Sequence, residues 1–172
     1  MILRPATPDD LPALARLGRE AFVAKFGHLY SEKDLAAFLD EYRTEAAYRN
    51  AMADPGTRIQ LAEADGRLLG YCLLVLGKGF DERPRPWPTR PATLSQLYCA
   101  PEALGRGTGS ALMEWVLVEC RNWGADAIQL SVYAQNHGAQ RFYERYGFSR
   151  IADISFWVGN HRDDEFLFEL RL

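Results

Sequence analysis

The sequence of 172 residues predicts a single α/β domain, a mixed twisted sheet of about seven strands flanked by helices. Three observations carry that reading. Apolar residues recur at helical spacing near the N-terminus, then change to a two-residue period after Pro55-Gly56. Further along, two helical segments alternate with strands. With 48% apolar and 25% charged residues, the chain has ordinary globular composition and enough length to bury one core.

The elements follow in order. "MILRPAT" is a short first strand. In "TPDDLPALARLGREAFVAKFG", Thr7 is placed to cap a helix, Pro8 takes its first position, and Asp9 and Asp10 sit near the positive end of its dipole. Leu11, Leu14, Leu17, Ala21 and Phe22 share one face. A second helix, "SEKDLAAFLDEY", starts from Ser31, and a third, "TEAAYRNAMAD", stops at Pro55-Gly56. "RIQLAEADGRLLGYCLLVLG" reads as two strands joined by a tight Asp65-Gly66 turn. The prolines of "KGFDERPRPWPTRP" preclude regular structure, so residues 79–91 form a loop. "ATLSQLYCA" is a strand, and a largely apolar helix runs from about Gly107 to Trp123. "AIQLSVYA" is a strand and "GAQRFYERYG" a short helix closed by Gly147. "RIADISFWV" and "EFLFELRL" complete the sheet around a polar "GNHRDD" turn.

A net charge of -3 argues against nucleic-acid binding through a basic surface. The three cysteines, Cys72, Cys99 and Cys120, are odd in number and lack metal-ligand spacing, so they read as buried thiols in a reducing compartment, with no metal. No apolar run approaches the ~18 residues of a membrane span, and no leader pattern opens the chain. The expectation is a cytoplasmic protein with no membrane partner.

The stretch "CAPEALGRGTGSALMEWVLVEC" places Gly105, Gly107 and Gly109 at alternate positions just before a helix. A dinucleotide fingerprint fits no frame of it, because Ser110 or Leu112 stands where a third glycine or alanine is needed. A P-loop needs Gly-Lys-Ser/Thr, which is absent. What remains is either a turn without a ligand or a pyrophosphate cradle of backbone N–H groups at the helix start, which Arg106 or Thr108 can supplement.

Some thirty residues on lies "SVYAQNHGAQRFYERYGF". Asn136, Ala139, Phe142-Tyr143 and Gly147-Phe148 follow the pattern N-x-x-A-x-x-F-Y-x-x-x-G-F. With the glycine loop, the segment from about Thr93 to Phe148 resembles the GCN5-related N-acetyltransferases. Their Q/R-x-x-G-x-G/A signature is met at Gly107 and Gly109, while Leu104 stands where Gln or Arg is usual. The resemblance implies acetyl-CoA as acyl donor and a splay between the strand before the loop and the strand after the long helix. It also implies roles. Backbone groups of Leu97, Tyr98 and Cys99 would pair with the pantetheine arm like an added strand. Leu104, Gly105, Arg106, Gly107, Thr108, Gly109 and Ser110 would form the pyrophosphate loop. Asn136 would bond the pantetheine or, alternatively, only cap the next helix. Tyr143 would sit near the sulfur as general acid, or else be one more core aromatic. Cys99 reads as a strand residue rather than a nucleophile, since this family transfers the acetyl group directly between bound partners.

Direct transfer needs a neutral amine, and family members often supply a glutamate on the strand before the loop or after the long helix. The matching positions here are Thr93, Ser95 and Ser131, none a carboxylate. Either a water chain removes the proton, or Glu20, Asp40, His28, His137 or His161 reaches in. The segment "REAFVAKFGHLYSEKDLAAFLDEY" is loosely similar to bacterial polyamine acetyltransferases. The expected acceptor is therefore a primary amine, polyamine-like or amino-acid-like, with a peptide or lysine acceptor and a non-catalytic acetyl-CoA-binding module as alternatives. The proline-rich loop and "GNHRDD" are candidate pocket walls or homodimer contacts, or plain surface loops.

Overall fold

A computed structural model describes all residues, Met1 to Leu172. Seven strands form one sheet: β1 (Ile2–Pro5), β2 (Thr57–Ala64), β3 (Arg67–Leu76), β4 (Pro91–Cys99), β5 (Ala127–Tyr133), β6 (Ser149–Val158) and β7 (His161–Arg171). Their order across the sheet is β1-β2-β3-β4-β5-β7-β6, so the last strand is inserted beside β5 and leaves β6 at the edge. Every neighbouring pair is antiparallel except β4 and β5. That predicted mixed sheet is the observed one.

Three helices fill the connection from β1 to β2: α1 (Leu11–Phe26), α2 (Glu32–Tyr42) and α3 (Glu45–Ala53). α1 buries Leu11, Leu14, Leu17, Ala21 and Phe22, the face read from their spacing. Its start differs in detail. Thr7 and Pro8 take the N-cap and first positions as read, but of a 3-10 turn, Pro8–Asp10, that precedes the helix. Thr7 N–H donates to the Asp10 carboxylate at 2.7 Å and its hydroxyl donates at 3.0 Å. Arg4, bound to both Asp10 oxygens at 2.8 Å, fixes that carboxylate in place. Ser31 and Thr44 do cap α2 and α3, accepting from Asp34 N–H and Ala47 N–H.

The other sheet face carries α4 (Thr108–Trp123) and α5 (His137–Arg145). Leu112, Met113, Val116 and Cys120 of α4 join Cys72, Leu74, Ala92, Leu94, Ile128 and Leu130 in the larger core. The three cysteines are free, two of them buried in that core.

Two irregularities of β4 shape the molecule. First, its parallel pairing with β5 covers only Pro91↔Ala127 to Thr93↔Gln129, after which the strands part. The splay expected from the family resemblance is present. Second, Leu73 faces Gln96 while Leu74 faces Leu94, so Ser95 is an extra residue on β4, a bulge. Because side chains alternate along a strand, that one insertion exchanges the faces of all that follow. Leu97 thereby packs with the α4 side, whereas Tyr98 packs with the α1–α3 side.

The hairpin turn between β6 and β7 is shorter than the sequence implied. Only Gly159 and Asn160 turn, and His161 to Asp164 already belong to β7. The proline-rich loop is irregular as expected but tightly held. Arg83 donates to both oxygens of Glu169 at 2.8 and 2.9 Å, and Gln129 donates to the same carboxylate at 2.7 Å. Phe80 N–H donates to Gln129 in turn, while Thr89 and Arg90 N–H groups donate to Asp126.

Candidate active site

The parted strands open onto a cavity of about 510 Å³. Of the residues singled out from the sequence, Leu97, Tyr98, Cys99, Leu104, Asn136 and Tyr143 line it. Gly105 to Ser110 form the adjoining turn and the first turn of α4.

That turn has the features of an anion cradle. Gly105 and Gly107 adopt φ of 73° and 81°, the left-handed region where a Cβ is strained. Open space surrounds both positions, with no atom within 4 Å of where a Cβ would stand. Ala111 N–H makes the first intrahelical bond, to Gly107 C=O at 2.9 Å, so the amides of Thr108, Gly109 and Ser110 precede the ladder. Thr108 is 1% exposed, and its Oγ1 has no hydrogen-bond partner within the chain. A buried hydroxyl and several amides left unsatisfied at one helix start fit a bound phosphate group. Leu104 is 66% exposed at the rim, consistent with a loop that works through its backbone.

On the α4–α5 side of the splay, Tyr143 packs between Phe142 and Phe148, at ring-centroid distances of 5.3 and 5.8 Å. Its hydroxyl makes no hydrogen bond within the chain. Burial, with Tyr98 and Cys99 nearby, pushes its phenol well up, so it stays protonated at neutral pH. Asn136 takes the capping role left open by the sequence: its Oδ1 accepts from Ala139 N–H at 3.2 Å. Gln140 donates to Ala134 C=O at 2.9 Å, which holds the β5–α5 turn behind it. Burial pushes the Cys99 thiol up to about 11.

On the α1–α2 side lies a residue the sequence reading missed. Glu165 of β7 lines the cavity and pairs in register with Tyr133 of β5. Ser131, two residues back on the same face of β5, donates its hydroxyl to the Glu165 carboxylate. Burial, reinforced by the neighbouring charge of Asp163, pushes Glu165 up to about 7. Of the residues proposed to replace the absent carboxylate, Glu20, Asp40, His28 and His137 are exposed and do not line the cavity. His161 does not line it either; it lies 3.2 Å from Asp163 and edge-on to Tyr30. Ser131 itself is no carboxylate, but one reaches it from the neighbouring strand β7. The only advance signal was parity: Glu165, Leu167 and Glu169 alternate along one face of a strand with a buried apolar centre.

Aromatic residues make up much of the remaining wall. Phe22 and Phe26 of α1 meet at 5.2 Å, and Phe26 lies edge-on to Tyr133 at 6.1 Å. Tyr30 donates its hydroxyl to the buried Asp163, and burial together with that carboxylate raises its phenol strongly. Tyr30 is thus a fixed strut rather than a proton carrier. Gly18 allows the packing behind this wall: a Cβ there would stand 2.3 Å from the Tyr48 hydroxyl. That hydroxyl and Tyr71's, 2.7 Å apart, both lie against Gln96 Oε1.

A glycine-rich turn at a helix start and two parted parallel strands thus meet at one cavity, with Glu165 and Tyr143 on its opposite sides. The acetyltransferase (GNAT) family pattern matches residues 19–148, and the chain belongs to that family. An uncharacterised N-acetyltransferase of Mycobacterium tuberculosis is 31% identical over 158 residues, spanning 92% of this chain and 95% of its own. The aminoalkylphosphonate N-acetyltransferase of Salmonella typhimurium is 28% identical over 86% of this chain and 84% of its own. Among solved structures, the PaiA N-acetyltransferase of Thermoplasma acidophilum in complex with coenzyme A superposes with a TM-score of 0.79. It is 22% identical and covers 99% of this chain and 98% of its own, a likeness of fold. The protein is thus an acetyl-CoA-dependent N-acetyltransferase. No helix is long and apolar enough to cross a membrane.

Proposed function

We propose that the protein transfers the acetyl group of acetyl-CoA directly to a primary amine of a small molecule, with Glu165 as general base and Tyr143 as general acid. One observation carries the reading: both side chains line a single cavity at the parted strands, Glu165 from the α1–α2 side and Tyr143 from the α4–α5 side.

The amine must lose a proton before its lone pair can form the N–C bond. Glu165, pushed up to about 7, is ionised in a large share of molecules at neutral pH and basic enough to accept that proton. Ser131 holds the accepting carboxylate in place. From an α-amino group with a pKa near 8, the transfer is uphill by about one unit, roughly 1.4 kcal/mol; from a lysine-like amine near 10.4 it is about 4.6 kcal/mol. The base is therefore better matched to the less basic amine.

As the C–S bond breaks, the sulfur becomes a thiolate and needs a donor. Tyr143, kept protonated and without an internal acceptor, supplies an O–H to it. A phenol raised this far gives up its proton to a thiol of pKa about 8.5 only at a cost, so its contribution is chiefly the hydrogen bond. Backbone amides from Gly105 to Ser110 and the Thr108 hydroxyl would hold the pyrophosphate. Leu97 to Cys99, unpaired on the side of the splay, would take the pantetheine. Cys99, protonated at neutral pH, is not required.

The relatives' names differ in their acceptors, from aminoalkylphosphonates to peptidyl lysine, so the acceptor is not inherited from them. The test is acetyl-CoA-dependent thiol release with a panel of amines, in wild type, Tyr143→Phe and Glu165→Gln. Amine-dependent release that falls by about 100-fold in Glu165→Gln supports the assignment of the base. Full activity in that variant would remove Glu165 from the mechanism.

A further inference from the structure

Arg43 stands in the short connection between α2 and α3. It is only 6% exposed and forms part of the cavity wall. Its charge is surrounded by rings: Phe38 at 5.1 Å, Phe22 at 5.6 Å and Tyr98 at 5.6 Å. No carboxylate lies within 4.0 Å of it, unlike Arg4 or Arg83, each of which holds an acid. Nη1 donates to Tyr42 C=O at 3.2 Å, and the buried Nε has no hydrogen-bond partner. Cation–π contacts offset part of the desolvation of a guanidinium and Tyr42 C=O takes one in-plane donor, but Nε stays unmet. A buried cation with a vacant donor beside a cavity is arranged for an anion that the chain itself does not supply.

The surroundings of Arg43 reinforce this. Gln96, also in the wall, has its Oε1 taken by the Tyr48 and Tyr71 hydroxyls, which fixes the amide and leaves Nε2 as a donor. The bulge at Ser95 is what brings Gln96 and Tyr98 to this face of the sheet. Lys25, at the exposed end of α1, lines the same cavity and has no carboxylate partner. Across from these donors, on β7, is the carboxylate of Glu165. The cavity is thus positive on the wall of α1, α2 and β4 and acidic on the wall of β5 and β7.

We propose that the acceptor is a small amine that carries its own compact oxyanion, a carboxylate or a phosphonate, held by Arg43 while its amine faces Glu165. This rests on the reading of the cavity as the acceptor site, and it names the acceptor's class. A polyamine offers no anion to Arg43 and sets a second cation against it. The residue acts on the bound acceptor, as a specificity-determining group, and leaves the donor side untouched.

The experiment uses matched pairs: alanine against ethylamine, and 2-aminoethylphosphonate against ethylamine, with spermidine and an unblocked tripeptide as further arms. Binding to the CoA-loaded protein is measured by calorimetry, and thiol release with acetyl-CoA is measured in parallel. Wild type is compared with Arg43→Lys and Arg43→Met. Wild type is expected to favour one anion-bearing member over ethylamine by about 30- to 100-fold, the range of a charge-assisted pair. The better of the two arms separates carboxylate from phosphonate. That preference should collapse in Arg43→Met and survive in part in Arg43→Lys, with acetyl-CoA affinity unchanged in both. Equal use of ethylamine, preference for spermidine, or turnover of the tripeptide alone would overturn the inference, even though acetyl transfer stood. A loss of acetyl-CoA affinity in both variants would also overturn it, since Arg43 would then serve the donor. Arg43-dependent binding of the anionic amine without any thiol release would keep the inference and defeat the transfer reading instead.

Discussion

Ser131 on β5 donates its hydroxyl to the carboxylate of Glu165 on β7, joining the strand where a carboxylate was sought to the strand that supplies one. The serine replaces no carboxylate; it orients a neighbour's. Burial then sets the basicity of the pair near neutrality.

The rate should therefore depend on pH through Glu165. Only the ionised carboxylate accepts a proton, so kcat/KM should rise with pH through an inflection near 7. Glu165→Gln should lose about 100-fold in rate together with that inflection. A pH–rate profile of the two proteins measures both. An unchanged acidic limb in the variant would assign it to another group.

The same residue should weaken the fold at high pH. Its folded value, about 7, lies above its ordinary 4.5, so the folded state binds the proton more tightly. Stability from the neutral acid is full below about 4.5 and lost as pH rises through about 7. Glu165→Gln should remove this loss, with a Tm that exceeds wild type at pH 8 by more than at pH 5. Thermal melts at the two pH values decide it.

Thr108 offers a test of the cradle from both sides. Its buried Oγ1 has no partner, and an unsatisfied buried hydroxyl costs about 1–3 kcal/mol. Thr108→Val should raise the Tm of the protein without acetyl-CoA and weaken acetyl-CoA binding. Gly107→Ala, forced to keep φ at 81°, should cost about 1 kcal/mol or more in stability and weaken the same binding. Calorimetric titration with acetyl-CoA reads both variants. Unchanged affinity in the pair would place the pyrophosphate elsewhere.

Cys99 should be dispensable. Cys99→Ala is expected to retain activity within about threefold, because a thiol pushed up to about 11 presents little thiolate at pH 7. Intact-mass spectrometry after incubation with acetyl-CoA should show no acetylated protein. A stable +42 Da adduct (roughly one acetyl group, attached through the thiolate that nucleophilic catalysis requires) mapped to Cys99 would reverse this view.

Arg83 should matter for stability and not for catalysis. Its partner Glu169 has a side chain 3% exposed, and burial alone would raise that acid; the Arg83 and Gln129 hydrogen bonds outweigh it and lower it. Arg83→Met leaves a buried carboxylate without its counter-ion, held by Gln129 alone, a loss of about 3 kcal/mol. The turnover of the folded fraction should not change, because the proline-rich loop lies outside the cavity wall. Denaturant melts paired with activity per folded molecule separate the two effects.

The parts of this molecule written locally were readable from the chain. Ser31 caps its helix, the glycine loop ends where α4 begins, and the apolar face of α1 is buried where its spacing placed it. Asn136 and Tyr143 both line the cavity. What escaped depended on pairing between distant strands. Glu165 is one of several acids near the C-terminus, and only the register of β7 against β5 turns it toward Ser131. Arg43 lies among charged neighbours, and nothing in "DEYRTEAA" tells that the bulge at Ser95 will bring Tyr98 beneath it.

The early parting of β4 and β5 has a mechanical consequence. Past Thr93 the sheet is like a zipper with teeth on one side only, and the pantetheine arm is the strip that would close it. On that assignment acetyl-CoA is a temporary building element as well as a reagent, and the gap past Thr93 is bridged in the sheet only while it is bound. Each product release would then loosen the seam, and amide hydrogen exchange along residues 97–99 would slow with every cosubstrate bound and quicken as free CoA departs.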